Sequence, residues 1–286
     1  IACWLLAGCL AAGTAWAGLP ETPRPQQLTV ADGLSSNRIN AVAEDASGYL
    51  WIATSDGLVR YDGIGYRVWR VGQGLRDNYI WTVHVDGQNR VWIGTRHAGL
   101  AMFDADRQRF VYYDRATHPR IGDDEVWSIV STRDGTLWFG TSDAGLHRLD
   151  PDGRITRFMP RPHDPRSLPD AGVSQLVLGP HGDLWVGTKN GVARWTGRDF
   201  ARLPPSALDA PNINVLRFDQ DGTLWIGTPR GVSAVYPDGH ADLDPSPGYG
   251  RKVYALLLTD RNGNRWLDTV DGLGREEGGG VRNVPL

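Results

Sequence analysis

Short β-prone runs separated by polar turns fill this chain, and they recur in register. Residues 123–158 show the unit, in which VWSIVS, TLWFGT, LHRLD and ITRF are separated by Arg133-Asp134-Gly135, Ser142-Asp143-Ala144-Gly145 and Pro151-Asp152-Gly153. Each run reads as a strand. The second run returns as GYLWIAT, NRVWIGT, GTLWFGT, GDLWVGT, GTLWIGT and GNRWLDT, with Trp51, Trp92, Trp138, Trp185, Trp225 and Trp266 spaced by 41, 46, 47, 40 and 41 residues. A repeat of this length made only of short strands cannot bury its own faces, so it stacks against copies of itself. The expected fold is all-β, a β-propeller of four-stranded blades with six blades visible.

Around each repeat Trp the apolar residues do not alternate cleanly with polar ones, as expected of a strand covered on both faces by neighbouring blades. The six tryptophans are therefore assigned to the core. Three positions before the Trp stands Gly48, Gly135, Gly182, Gly222 or Gly263, with Asn89 in the second unit. Both residue types tolerate the positive φ of a tight hairpin or its bulge. Asp45, Asp86, Asp219 and Asp260, six before the Trp, suit a side chain that caps the same turn. Thr54, Thr95, Thr141, Thr188, Thr228 and Thr269 follow three after it, usually behind a small residue that lets blades approach closely near the axis. Asp268 replaces that small residue in the sixth unit, which predicts different packing or an exposed position there.

The segment QQLTVADGL ahead of the first unit is similar to the end of a unit, YRVWRVGQGL, and reads as a displaced fourth strand. The sixth unit has its own fourth strand in VRNVPL. Together they predict a truncated seven-bladed ring over residues 26–286, with a complete six-bladed ring as the alternative. The opening IACWLLAGCLAAGTAWA is apolar and uncharged and ends in Ala15-Trp16-Ala17, so residues 1–17 read as a secretory signal peptide that has lost its start, followed by a linker at 18–25. Leu6-Ala7-Gly8-Cys9 leaves lipidation at Cys9 open, and the run is near the short limit for a retained membrane anchor.

Composition narrows the partners. A net charge of −3 and a pI near 6.2 give no polybasic footprint, so nucleic acid is not an expected partner. Cys3 and Cys9 both lie in the opening run, which leaves the body without a disulfide framework or a thiolate metal site.

The unit, roughly [IV]xx[VIL]xxDxxGxLWIGTxxGLxRxD behind a strand ending in DGL, resembles the two-component regulator propeller repeat over residues 26–286. The resemblance implies a periplasmic sensor region of an inner-membrane protein, joined through a transmembrane segment outside this sequence to a histidine kinase or diguanylate cyclase module. It further implies a small-molecule or oligosaccharide ligand and a possible homodimer. A secreted carbohydrate-binding propeller, or a lyase or glycosidase on the same fold, is the alternative.

In such a blade the loops before the first strand and between the second and third strands share one face, around the mouth of the central channel. Polar loops converging on a rigid scaffold are the expected place for a ligand. Tyr79, Trp81 and Trp127 stand where other units have Asn40, Ser174 and Asn214, and aromatic faces stack on sugar rings while carboxylates and Arg bond hydroxyls. Arg96 and His97 occupy a loop that elsewhere holds small or turn-forming residues. With Asp124 and Asp143 these form the candidate ligand-binding set. The histidines are scattered, without an HxH or HExxH pair, and no GxSxG elbow occurs, so no catalytic residue, metal or cofactor is assigned.

Overall fold

A computed structural model describes residues 28–243, 253–260, 263–277 and 280–284. The signal and linker assigned to residues 1–25 lie outside the described residues. Six antiparallel four-stranded sheets follow one another at 39–69, 80–113, 126–158, 173–202, 215–242 and 253–283, each with its strands in chain order. They are blades one to six. In blade three the strands are Val126–Ser131, Leu137–Thr141, Leu146–Leu149 and Ile155–Phe158, at the four runs of the repeat unit. The described residues otherwise hold two single-turn 3₁₀ segments, and no helix is long and apolar enough to cross a membrane.

The core lies between blades. Trp51 and Trp69 of blade one pack with Ile80 and Phe103 of blade two, and Trp92 and Leu100 with Val126 and Phe139 of blade three. Trp138 and Leu146 meet Val173 and Val186 of blade four, Val192 meets Ile213 and Ile226 of blade five, and Trp225 meets Leu267 of blade six. Burial on both faces is why the strands show no clean alternation. Among the described residues no such cluster joins blade six to blade one; Ile52 and Val59 of blade one pack instead with Leu34. The repeat tryptophans are correspondingly unequal, since Trp266 of blade six is half-buried, as is Trp185, whereas the other four are buried.

Close approach near the axis depends on the small residue after each Trp. A Cβ on Gly94 would stand 2.5 Å from the Val126 carbonyl oxygen, and one on Gly187 would stand 2.8 Å from Ile213. Asp268, at this position in blade six, is exposed.

Each blade is tied at both ends. At the hairpin end the glycine before each Trp has φ between 81° and 84°, and Asn89 has 60°. The capping carboxylate there also reaches the tryptophan. Besides backbone amides, Asp45 and Asp86 accept the indole N–H of Trp51 and Trp92, both at 2.8 Å, and Asp260 that of Trp266 at 3.2 Å. In blade four Asp183 accepts the indole instead, 2.6 Å from the Trp185 nitrogen. Asp219 departs from the pattern, for it accepts from Thr259 at 2.6 Å and Arg265 at 2.7 Å and so ties blade five to blade six.

At the other end the repeat Thr closes the loop between strands two and three. Its hydroxyl donates to the carbonyl of Gly57, Gly99, Gly145, Gly191, Gly231 and Gly272 in turn, at 2.7 to 3.2 Å. In the first four blades that glycine's own amide then donates to a carbonyl of the next blade, at Asn78, Asp124, Ala171 and Pro211, at 2.7 or 2.8 Å. These main-chain links hold the loops of the mouth face in a fixed arc.

The segment ahead of blade one repeats the turn that follows the fourth strand of that blade. Leu34 N–H donates to Thr29 as Leu75 does to Arg70, both at 3.3 Å, and Val30 and Val71 donate to Asn37 and Asn78 at 2.8 and 2.7 Å. The matching strand would precede residue 28, outside the described residues; Val30–Asp32 itself is a 3₁₀ turn.

Candidate functional site

The first strand of each of blades one to four carries a β-bulge one step in from the mouth. Pairing to the second strand skips Asn40, Trp81, Trp127 and Ser174. A bulge re-aims the skipped side chain, and here the four aim at the channel mouth. In blades one and four the skipped residue reaches the neighbouring blade, Asn40 to the Ile80 carbonyl at 2.7 Å and Ser174 to the Ile213 carbonyl at 2.6 Å. Blades two and three place an indole there instead.

These two rings line a cavity of about 860 Å³ with Arg38, Asn40, Ser174, Gln175, Lys189, Asn212 and Asn214. Trp81 and Trp127 meet edge to face, centroids 6.5 Å apart, and Tyr79 extends the run, 4.6 Å from Trp81. Three cations flank it: Arg96 lies 5.4 Å and Arg38 5.7 Å from the Tyr79 ring, and the Lys189 ammonium 5.0 Å from Trp127. The Trp81 indole donates to Glu125 at 3.0 Å. The Trp127 N–H is sealed from solvent and has no acceptor, a costly arrangement for a polar group.

Tyr79, Trp81, Trp127 and Arg96 therefore come together in one aromatic shelf, of which Trp81 and Trp127 face the cavity. The other residues of the candidate set stand apart from it. His97 is largely exposed, with its backbone N–H 2.7 Å and its ring nitrogen 3.3 Å from the Asp77 carboxylate. Asp77 thereby pins the loop of its own blade, as Asp123 does in blade three by accepting from Ser142 and from the Asp143 amide. Asp124 holds Arg115 at 2.8 Å, and the exposed Asp143 reaches Lys189 at 3.1 Å. Arg38 and Gln175 escape a sequence reading because each becomes part of the mouth only when blades from different parts of the chain converge. Among the described residues no group of three metal-ligating side chains occurs.

A buried histidine lies outside the mouth. His147 is fully buried between blades two and three, stacked on Phe139 with centroids 4.8 Å apart, and neither ring nitrogen has a partner. Burial, and after it the charge of Arg157, pushes its pKa down from 6.5 to about 4. His84 of blade two, also lowered by burial, bonds Ser131 at 2.8 Å.

The two component regulator propeller family matches at residues 33–56, 74–97, 120–143 and 207–230. This chain carries two-component regulator propeller repeats. Among solved structures, the extracellular domain assigned to a hybrid two-component system of B. thetaiotaomicron superposes with a TM-score of 0.75 at 22% identity, covering 88% of this chain and 35% of that one. That of a one-component system from the same organism gives 0.69 at 20% identity, over 87% and 36%. The chain thus spans about a third of the length of these ectodomains. Virginiamycin B lyase from Staphylococcus aureus superposes at 0.66 with 16% identity, over 87% of this chain and 84% of its own. At these identities the likeness is one of fold. No curated protein matches the sequence.

Proposed function

We propose that this propeller is the extracytoplasmic ligand-sensing domain of a membrane-spanning signalling protein, and that its channel mouth binds an oligosaccharide or a similarly polar small molecule. The observation that carries this reading is the pair of bulge-directed indoles, Trp81 and Trp127, facing a cavity whose remaining walls are amides, a hydroxyl, two cations and the isoleucines Ile39 and Ile213. An indole face takes the apolar face of a pyranose, while Asn212, Asn214, Gln175, Lys189 and Arg38 supply donors for its hydroxyls. Repeats of the two-component regulator type, and a fold shared with ectodomains of two-component systems, support a sensor rather than an enzyme. The output module, a kinase or a cyclase, would lie elsewhere in the longer protein.

Signalling would follow from a population shift, in which the ligand favours one arrangement of propellers, such as one homodimer, by its difference in affinity for the two. The test is a tryptophan-fluorescence titration with neutral oligosaccharides, comparing the natural protein with Trp81→Ala and Trp127→Ala. Saturable binding weakened about tenfold or more in either variant is expected. Equal affinity in all three proteins would remove the mouth as the site.

A further inference from the structure

A second cavity, of about 870 Å³, opens on the hairpin face between blades three and four, away from the channel mouth. Its walls are the two turns that lead into the repeat tryptophans, Thr132–Thr136 and Leu178–Leu184, closed by Trp138, Arg148, Asp150 and Trp195. Thr132 and Gly179 occupy the position six before the Trp where blades one, two, five and six have Asp. The cleft lies between the two consecutive blades that both lack this carboxylate.

The two losses are not equivalent. In blade four Asp183 folds back onto the Trp185 N–H, and Gly179 permits it, because a Cβ there would collide with the Asp183 carboxylate. Blade three has no substitute. The Thr132 hydroxyl is turned to Asp134, at 2.5 Å, and the Trp138 indole N–H has no acceptor among the described residues. Unlike that of Trp127, it is not sealed from solvent. A core tryptophan of the repeat thus offers a free donor in the cleft wall, where four sister blades silence theirs.

We propose that this cleft is a second ligand site, which takes a pyranose unit of a neutral oligosaccharide. Trp138 supplies the unspent donor. Asp134 uses one carboxylate oxygen to accept from Thr132 and Thr136 and keeps the other for a hydroxyl. Arg133 is exposed on the rim, and Trp195, half-buried and 5.6 Å from Trp138, provides an apolar edge. Arg133 and Arg148 stand against Asp134, Asp150 and Asp183, so neither sign dominates the cleft and an uncharged polyhydroxyl chain suits it better than an ion.

The decisive experiment is an NMR titration of indole-¹⁵N-labelled protein with cellohexaose, xylohexaose and mannohexaose, the Trp138 and Trp195 signals being assigned from Trp138→Phe and Trp195→Phe. Saturable shifts at both indoles are expected with at least one hexasaccharide. Thr132→Asp restores the residue that caps the N–H in sister blades, so it keeps the fold and weakens the shift at Trp195 about tenfold, while Trp81→Ala leaves it unchanged. No shift with any of the three sugars overturns the proposal, as does a shift abolished by Trp81→Ala and untouched by Thr132→Asp. Binding at the mouth can fail independently, since it is read at Trp81 and Trp127.

Discussion

Blades two and three are built on one repeat and packed against one another, yet their polar interiors are finished differently. In blade two Asp86 accepts the Trp92 indole, the Arg90 guanidinium and two backbone amides, and His84 has Ser131 as partner. In blade three the Trp138 N–H has no acceptor and His147 has no partner on either nitrogen. The framework residues, a positive-φ residue at the hairpin (Asn89 or Gly135), Trp in the core and Thr at the mouth, are the same in kind. Departures from a repeat whose framework is intact mark where chemistry has been left open, and blade three borders both cavities.

The comparison breaks most visibly at Asp86. Its hydrogen bonds hold the carboxyl below its usual range although burial alone would raise it, so Asp86→Ala leaves the buried Trp92 indole, two half-buried backbone amides and a guanidinium without their acceptor. Urea unfolding should show a loss of about 3–4 kcal/mol, made up of the unsatisfied buried indole and the smaller cost of the half-buried donors, whereas Thr132→Asp in blade three should show none. A loss below about 1 kcal/mol would mean that the cap contributes little beyond an ordinary surface contact.

The next effect depends on pH. His147 is held neutral in the fold with a pKa near 4, while the unfolded chain takes up the proton near 6.5. Its contribution is full above pH 6.5, falls as the pH drops to about 4 and is level below, a change of about 3 kcal/mol. His147→Leu should flatten stability against pH across that window. An unchanged slope would show that the imidazole finds a partner. The smallest effect should be common to both blades: Thr95→Val and Thr141→Val remove the same clip to a glycine carbonyl and should each cost about 1–2 kcal/mol. A clear inequality would show that the blades differ at the mouth end as well.

Local geometry is legible in this sequence, and geometry that spans blades is not. Gly135 and Asn89 announce their turns because a positive φ admits few residue types, and the repeat period alone yields four-stranded blades. The carboxylate six before the Trp is legible as a turn cap, but its bond to the indole is not, because it follows from a side chain folding back over the hairpin. Trp81 and Trp127 stand out by position. That both are skipped by the pairing of their strands, and so turn toward one another, depends on a bulge that no single residue encodes. His97 and Asp124 look equally suited to a ligand, yet their nearest partners, Asp77 and Arg115, lie elsewhere in the chain and draw them into loop contacts.

The links from Gly57, Gly99, Gly145 and Gly191 to the next blade run from amide to carbonyl and involve no side chain beyond the glycine. The residues displayed beside them can therefore be exchanged over generations without loosening the arc that presents them. Such an arrangement separates inheritance of shape from inheritance of taste: a lineage can try new ligands at the mouth one loop at a time, each trial starting from a ring that still folds.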